Sequence, residues 1–368
     1  MEHIKNIEIK NFKSIRHQKI EDCRRINVFI GYPNVGKSNI LEALSLFSID
    51  RPDADFSSFI RAGKFTTLFF DGNVSDGIEI RINNENRIIA EIADSNNIQF
   101  AWQLLGAGAS FEKMGPGIQQ TIYGILNFVK TEGDDNIKNW DSIFKRHPEP
   151  RPTDFYKELG DGYLAAVKRY DFQKNVTYSA GDYGALTVPN GKNIFGIIYT
   201  HSDIRKEIAG LFESYNLKLL YNSAEGEFSI LKSISEDVVF SIPYRLVADT
   251  LQRLIFHKVA IMSNKDSVLL FEEPEAHMFP PYISKFTAEV MYNENNNQFF
   301  IATHSPFVIN DLMENMKNDE LSIYVVDYKK VTGETVIRRL SDKELHELYQ
   351  YGIDLYFNLE NYLMHEQQ

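Results

Sequence analysis

The sequence predicts an α/β fold in which one mixed central sheet is assembled from both ends of the chain, with an antiparallel β side lobe and an inserted, mainly helical region. Three observations predict it. Near the start, the short apolar run Ile26, Val28, Phe29 and Ile30 leads into Gly31-Tyr32-Pro33-Asn34-Val35-Gly36-Lys37-Ser38 and then into the helix-forming Asn39-Ile40-Leu41-Glu42-Ala43-Leu44. Near the end, two buried-type strands, Ser267–Phe271 and Gln298–Thr303, are separated by one helical stretch, which is the spacing of neighbouring parallel strands. Between these halves, alternating segments from Leu68 to Ile92 are broken by Asp71-Gly72-Asn73 and Asn83-Asn84-Glu85-Asn86, as in an antiparallel meander.

In chain order, Ile4, Ile7 and Ile9 and then Phe12, Ile15 and Ile20 read as two strands parted by the turn-forming Asn11 and Ser14. The loop helix runs over 39–48 and stops at Arg51-Pro52-Asp53. Within 101–180, helices are expected over Gly117–Lys130 and Asp154–Tyr170, separated by the breaker-rich His147-Pro148-Glu149-Pro150-Arg151-Pro152. A further helix is expected over Ile204–Tyr215. Helices over Thr250–Ser263 and Pro281–Asn293 alternate with the two late strands. A hairpin, Ile323–Val326 against Thr335–Ile337, and a helix capped at Ser341 close the chain. The expected division is a first lobe over 1–100, the inserted region over 101–235 and a second lobe over 236–368.

At 368 residues, 43% hydrophobic and 24% charged, the composition is that of a globular protein with ample core. No apolar run approaches the ~20 residues of a membrane span, and Met1-Glu2-His3-Ile4-Lys5 lacks a signal-peptide core, so a cytoplasmic protein without membrane contact is expected. The single cysteine, Cys23, excludes an internal disulfide framework and suits a reducing compartment. A net charge of −12 argues against a surface devoted to DNA. The basic residues Arg16, His17, Lys19, Arg24 and Arg25 read as a solvated strand edge.

The segment Gly31–Ser38 fits the pattern G-x-x-x-x-G-K-[ST] at every position, with the strand before it and the helix after it that the pattern requires. Backbone N–H groups of such a loop and the helix N-terminus favour an anion through unpaired donors and the dipole together. The expected ligand is ATP with Mg²⁺. Gly31, Tyr32, Pro33, Asn34, Val35, Gly36, Lys37, Ser38 and Asn39 form the binding loop, Lys37 reaching the β- and γ-phosphates and the Ser38 hydroxyl reaching the metal. The run Val268-Leu269-Leu270-Phe271 ends in Glu272-Glu273-Pro274, where hydrolysis needs carboxylates. Glu272 is expected on the metal side, and Glu273 is expected to orient and deprotonate the attacking water. Thr303-His304-Ser305-Pro306 ends the next strand, placing His304 where a ring N–H reaches the γ-phosphate.

Together these segments carry a resemblance. Asn11-Phe12-Lys13-Ser14-Ile15, the loop, and Asn39-Ile40-Leu41-Glu42-Ala43 resemble the opening of RecF/SMC-type ATPases. Glu272-Glu273-Pro274-Glu275-Ala276-His277 with Thr303–Pro306 resembles the second lobe of the same ABC-type heads, in particular bacterial AAA family ATPases related to the OLD proteins. The resemblance spans about residues 1–80 and 240–350. It implies a P-loop head that dimerises around ATP, each nucleotide lying between the loop of one subunit and the signature segment of the other. It also implies Lys37, Glu273 and His304 as catalytic residues, Ser38 and Glu272 as metal-side residues, and Glu275-Ala276-His277 as a dimer-contact loop. Stand-alone heads of this type are paired with separate effectors such as nucleases in anti-phage defence. Fewer than about 70 residues follow His304, short of a typical ~100–150-residue domain, so no Toprim nuclease domain of the OLD kind is expected here.

The chain departs from the family pattern in three places. The signature segment falls at Leu246–Arg253 without the usual serine and glycines. Asp249 and Gln252 are instead spaced for a helix cap, leaving Thr250, Arg245 or Arg253 for contact in trans and implying slow or partner-dependent turnover. For the Q-loop only Asp71 or Asn73 is on offer, and Glu272 replaces the usual Asp. Rival readings are a RecF-like repair ATPase binding DNA directly, a scaffold holding ATP with negligible turnover, and a GTP switch. The last lacks its Asp-x-x-Gly turn and its Asn-Lys-x-Asp base reader.

Overall fold

The computed structural model describes residues 2–48, 59–61, 65–83, 86–94, 97–103, 124–129, 142–144, 166–174, 176–179, 184–222, 226–317 and 319–363. A six-stranded sheet forms its centre. The strands are β3 (Ile26–Ile30), β9 (Val167–Tyr170), β13 (Val268–Glu272), β14 (Gln298–Ala302), β15 (Leu321–Tyr328) and β16 (Thr335–Arg339), in the order β16-β15-β3-β14-β13-β9. All neighbours pair in parallel except β15 and β16, so the sheet is mixed.

The sequence explains why this sheet is central. Its inner strands β13 and β14 are nearly continuous apolar runs, as is β3 apart from Asn27, and successive side chains enter two separate cores. Phe29, Val268 and Leu270 face one of them, and Val28, Ile30, Leu269 and Phe271 face the other. A strand buried on both faces needs this composition. Because β3, β13 and β14 are parallel, their C-terminal ends emerge along one edge, where ligands of open α/β sheets bind. Helix α1 (Lys37–Ser45) leaves β3 at that edge and packs back on β13 and β14.

The side lobe is a seven-stranded antiparallel sheet, ordered β2-β1-β4-β5-β6-β7-β8. It comprises β1 (Ile7–Phe12), β2 (Ile15–Ile20), β4 (Ile78–Ile82), β5 (Asn86–Asp94), β6 (Asn97–Gln103), β7 (Gly124–Val129) and β8 (Ser142–Phe144). Two expected helices are corrected here. Where a helix was expected over Gly117–Lys130, the chain forms β7, with Leu126 opposite Phe100 and Phe128 opposite Ile98 of β6. An aromatic and β-branched run beside an unpaired edge gains a ladder that its helical spacing does not supply. The expected helix over Asp154–Tyr170 ends instead in strand β9, which pairs Arg169 with Leu270. The remaining parts of both stretches, 117–123, 130 and 154–165, lie outside the described residues. The region 101–235, expected to be mainly helical, therefore contributes strands to both large sheets.

Helices α2 (Ile194–Thr200) and α3 (Ser202–Glu213) precede a three-stranded antiparallel sheet of β10 (Leu217–Asn222), β11 (Glu227–Ser233) and β12 (Val239–Pro243). Helices α4 (Asp249–Met262), α5 (Pro280–Met291) and α6 (Pro306–Asn315) cover the face of the central sheet that Val28 and Phe271 enter. Helix α7 (Asp342–Gln350) begins with a full capping box between Ser341 and Glu344. No helix among the described residues is long and apolar enough to cross a membrane.

Candidate functional site

The phosphate-loop wall is shaped by close approach. A Cβ on Gly31 would lie 2.1 Å from the Val326 carbonyl oxygen of β15, so only hydrogen fits there. Gly36, the N-cap of α1, has φ +101, and a Cβ there would lie 2.1 Å from Thr335 Oγ1. The loop is pegged to the side it touches. The Thr335 hydroxyl donates to the Val35 carbonyl at 2.8 Å and lies 2.6 Å from Ser14 Oγ. That oxygen in turn accepts from Asn39 Nδ2 at 2.7 Å. Lys37 is 6% exposed, and its ammonium donates to the carbonyls of Gly31 (3.0 Å) and Tyr32 (2.8 Å). Burial lowers its pKa to about 8 against the opposing pull of Glu273 and Glu272.

The opposite wall is built from strand ends and charges. Glu272, the last residue of β13, accepts from Arg169 of β9 on Oε2 at 2.7 Å and from Arg61 on Oε1 at 3.3 Å. Arg61 Nε also donates to Glu42 of α1 at 2.6 Å, and Glu42 pairs with Lys13 through its other oxygen. Glu273 follows in a left-handed conformation, φ 43, which turns its carboxylate outward to 3.4 Å from His304 Nε2. The His304 pKa is lowered by burial and by Lys37, with Glu273 opposing. The backbone beneath His304 is fixed by Glu275, whose Oε1 accepts from the Thr303 hydroxyl (2.6 Å) and the His304 N–H (3.0 Å). Burial raises the Glu275 pKa, and its Oε2 is buried without a hydrogen-bond partner. The Tyr356 hydroxyl donates to the Thr303 carbonyl at 3.0 Å from the C-terminal segment.

Between the walls lies a cavity of about 420 Å³, within the usual range of ligand sites. Of the expected loop residues, Pro33, Asn34, Gly36, Lys37, Ser38 and Asn39 line it, together with Glu272, Glu273 and His304. Gly31, Tyr32 and Val35 do not. Gly31 and Tyr32 instead supply the carbonyls on which Lys37 rests, and Val35 is buried. The Ser38 hydroxyl and the Glu272 carboxylate share the cavity with the phosphate loop. Such hard oxygen donors fit Mg²⁺, which usually takes one or two protein oxygens and completes its shell with phosphate and water.

The expected cap at Asp249 is corrected. Ala248 is the N-cap of α4 and no side chain caps it, while Asp249 lies in the first turn and accepts from Arg253 Nε at 3.0 Å. Gln252 points back and donates to the Val247 carbonyl at 2.7 Å, because its side chain is buried beneath the turn. The Arg253 guanidinium lies 4.7 Å from the Phe172 ring centroid, and the Thr250 hydroxyl donates to the His277 carbonyl at 2.9 Å. All three side chains are engaged within their own subunit. Neither Asp71 nor Asn73 lines the cavity, and from the chain after α1 it is Arg61 that enters. Arg61 and Arg169 are absent from the expected site. Arg61 belongs to no recognisable motif, and Arg169 lies in a short Val-Lys-Arg-Tyr strand whose pattern is hidden by the helical reading of that stretch.

Residues 26–310 match the family described as "AAA domain, putative AbiEii toxin, Type IV TA system". An "ATP/GTP phosphatase" of Helicobacter pylori is 46% identical over 340 residues, covering 82% of this chain and 85% of that protein. A "DNA replication and repair protein RecF" of Thermoanaerobacter is 32% identical over 111 residues, covering 28% of this chain and only 30% of that protein. Among solved structures, an SMC head bound to the C-winged helix domain of ScpA aligns with a TM-score of 0.51 at 13% identity, over 94% of this chain and 100% of that one. The last likeness concerns the fold. The chain belongs to this AAA-domain family, and its fold is that of an SMC-type P-loop head.

Proposed function

We propose that this member of the AAA-domain family binds ATP with Mg²⁺ in the cavity and hydrolyses it to ADP and phosphate, and that ATP-linked pairing of two copies controls a separate effector protein in a bacterial anti-phage defence system. The observation that carries the chemistry is the convergence of Lys37, Ser38, Glu272, Glu273 and His304 from opposite ends of the chain on one cavity. Lys37 and the loop hold the β- and γ-phosphates. Ser38 and Glu272 would hold the metal, which would supply neutralisation of the charge on the phosphates. Glu273, turned outward by its left-handed backbone, takes the proton of the attacking water, and His304, whose pKa burial and Lys37 lower, donates a ring N–H to the terminal phosphate.

The family description, which names AbiEii and a type IV toxin–antitoxin system, supports the defence role. In this reading, residues 1–100 and 236–368 form the ATPase lobes, and the 101–235 region, tied to them through β9, senses the trigger. Slow turnover follows from a signature segment whose Asp249, Thr250 and Arg253 are engaged in cis. The RecF relative favours a second reading, direct DNA binding. Against it stand the net charge of −12 and the pairing of Arg24 and Arg25 with Asp342 and Glu320. The name of the Helicobacter relative leaves GTP as an accepted substrate, which competition against ATP resolves.

Glu273→Gln tests the chemistry. Turnover is expected to fall by about 10³-fold with ATP still bound and any ATP-linked dimer longer lived. Hydrolysis at the parent rate would remove Glu273 from its role. Retention of a short duplex that weakens steeply with salt would shift the assignment to the DNA reading.

A further inference from the structure

The two guanidinium groups on Glu272 are not equivalent. The Arg169 side chain is 8% exposed, sits on a paired strand, and is anchored by a second bond from Nη1 to the Phe59 carbonyl at 2.6 Å. The Arg61 side chain, although its Nε donates to Glu42 at 2.6 Å, is 65% exposed, does not belong to the central sheet, and meets Glu272 at the longer distance of 3.3 Å. Each holds a different carboxylate oxygen, Arg169 on Oε2 and Arg61 on Oε1. A carboxylate that must present one oxygen toward a metal needs its other oxygen fixed, and outer-shell hydrogen bonds of this kind set ligand orientation. A planar guanidinium with two anchored N–H groups does this better than a flexible ammonium.

We infer that Arg169 is the positioning residue for the metal-side acid: it keeps hold of Oε2 while Oε1 exchanges the weaker Arg61 contact for the magnesium–nucleotide complex. This rests on the assignment of Glu272 to the metal side. It adds a route by which the region between the lobes acts on the site. Arg169 belongs to β9, the edge strand through which that region joins the central sheet, so the contact ties that region to Glu272. A plain ion pair between adjacent strands would give the same distances but no dependence of metal binding on the shape of residue 169.

The test is Arg169→Lys, which keeps the charge and loses the planar fork, alone and combined with Glu272→Gln. Mn²⁺ binding to the full chain loaded with a non-hydrolysable ATP analogue is read by electron paramagnetic resonance, and analogue binding without metal is read in parallel. Arg169→Lys is expected to weaken Mn²⁺ about tenfold while metal-free analogue binding stays within about twofold. In the Glu272→Gln background the same change is expected to cost nothing further. Unchanged Mn²⁺ affinity in Arg169→Lys, alongside a clear loss in Glu272→Gln, overturns the inference and leaves the proposed function standing. Unchanged affinity in Glu272→Gln overturns the metal-side assignment itself. An equal loss in both backgrounds, or a parallel loss of metal-free binding, makes Arg169 a structural strut and ends the inference.

Discussion

The phosphate-loop wall, Gly31–Asn39, and the acid wall, Glu272–Glu275 with Thr303–His304, face each other across one cavity but are held by different means. On the first, the charged group is held locally, Lys37 resting on the carbonyls of its own loop, while the loop backbone is packed against the late hairpin, with no room for a Cβ at Gly31 beside Val326 or at Gly36 beside Thr335, and with Thr335 bonded to Val35 and Ser14. On the second, each functional group depends on a partner distant in sequence. Arg169 and Arg61 hold Glu272, Glu275 holds the His304 backbone, and Tyr356 bonds the Thr303 carbonyl. The comparison teaches that the ammonium of the loop wall is held within its own loop, whereas the charged groups of the acid wall are held by partners that only the assembled sheet brings near.

The largest test of that difference separates binding from turnover. Lys37→Ala removes the ammonium at the phosphates and is expected to weaken ATP at least about 100-fold by calorimetry, in contrast to Glu273→Gln, which keeps ATP bound. Normal ATP affinity in Lys37→Ala would break the comparison at its root.

A second test concerns the support of the acid wall. His257 of α4 is buried, packs edge-on against Phe271 of β13, has neither ring nitrogen hydrogen-bonded, and has its pKa pushed down to about 3 by burial. The unfolded histidine, near 6.5, binds the proton more readily. This contribution to stability is therefore complete above pH 6.5 and is lost as pH falls toward 3, by roughly 2 kcal/mol at pH 5. His257→Phe is expected to flatten that slope, measured by denaturant unfolding at pH 7 and pH 5. An unchanged slope would assign the acid sensitivity elsewhere.

A third test sharpens the loop side. Free Lys37 titrates at about 8, and bound phosphates raise its pKa, so nucleotide binding takes up a proton between the two values. ATP affinity is expected to be flat below pH 8 and to fall above it by up to about tenfold per pH unit, with proton uptake visible in buffers of different ionisation enthalpy. The smallest expected effect is that of Thr335→Val, which deletes the peg to Val35 and Ser14. A stability loss of about 1 kcal/mol with a severalfold weaker ATP complex is expected, and turnover of bound ATP should be unchanged.

Much of both walls was legible in the residues. The loop and its flanking strand and helix, the two apolar strands ending at Glu272 and Ala302, the late hairpin and the Ser341 cap all lie close to where their patterns place them. The illegible parts share a cause. β7 and β9 are strands only because β6 and β13 offer them an edge, and pairing with a distant partner overrides local helical spacing. Asp249 has the spacing of a cap but bonds to Arg253 instead.

The sequence by itself determined that a loop of the G-x-x-x-x-G-K-[ST] pattern lies between a strand and a helix, and that carboxylates and a histidine follow two neighbouring strands, because these depend on residue type and spacing over short stretches. Only the tertiary structure decided that Arg61 and Arg169 take opposite oxygens of Glu272, that Glu273 turns toward His304, and that a strand from the intervening region borders the site. The reason is physical: charges and hydrogen bonds act through space over a few ångströms, and residues 61, 169 and 272 become neighbours only when the central sheet is formed.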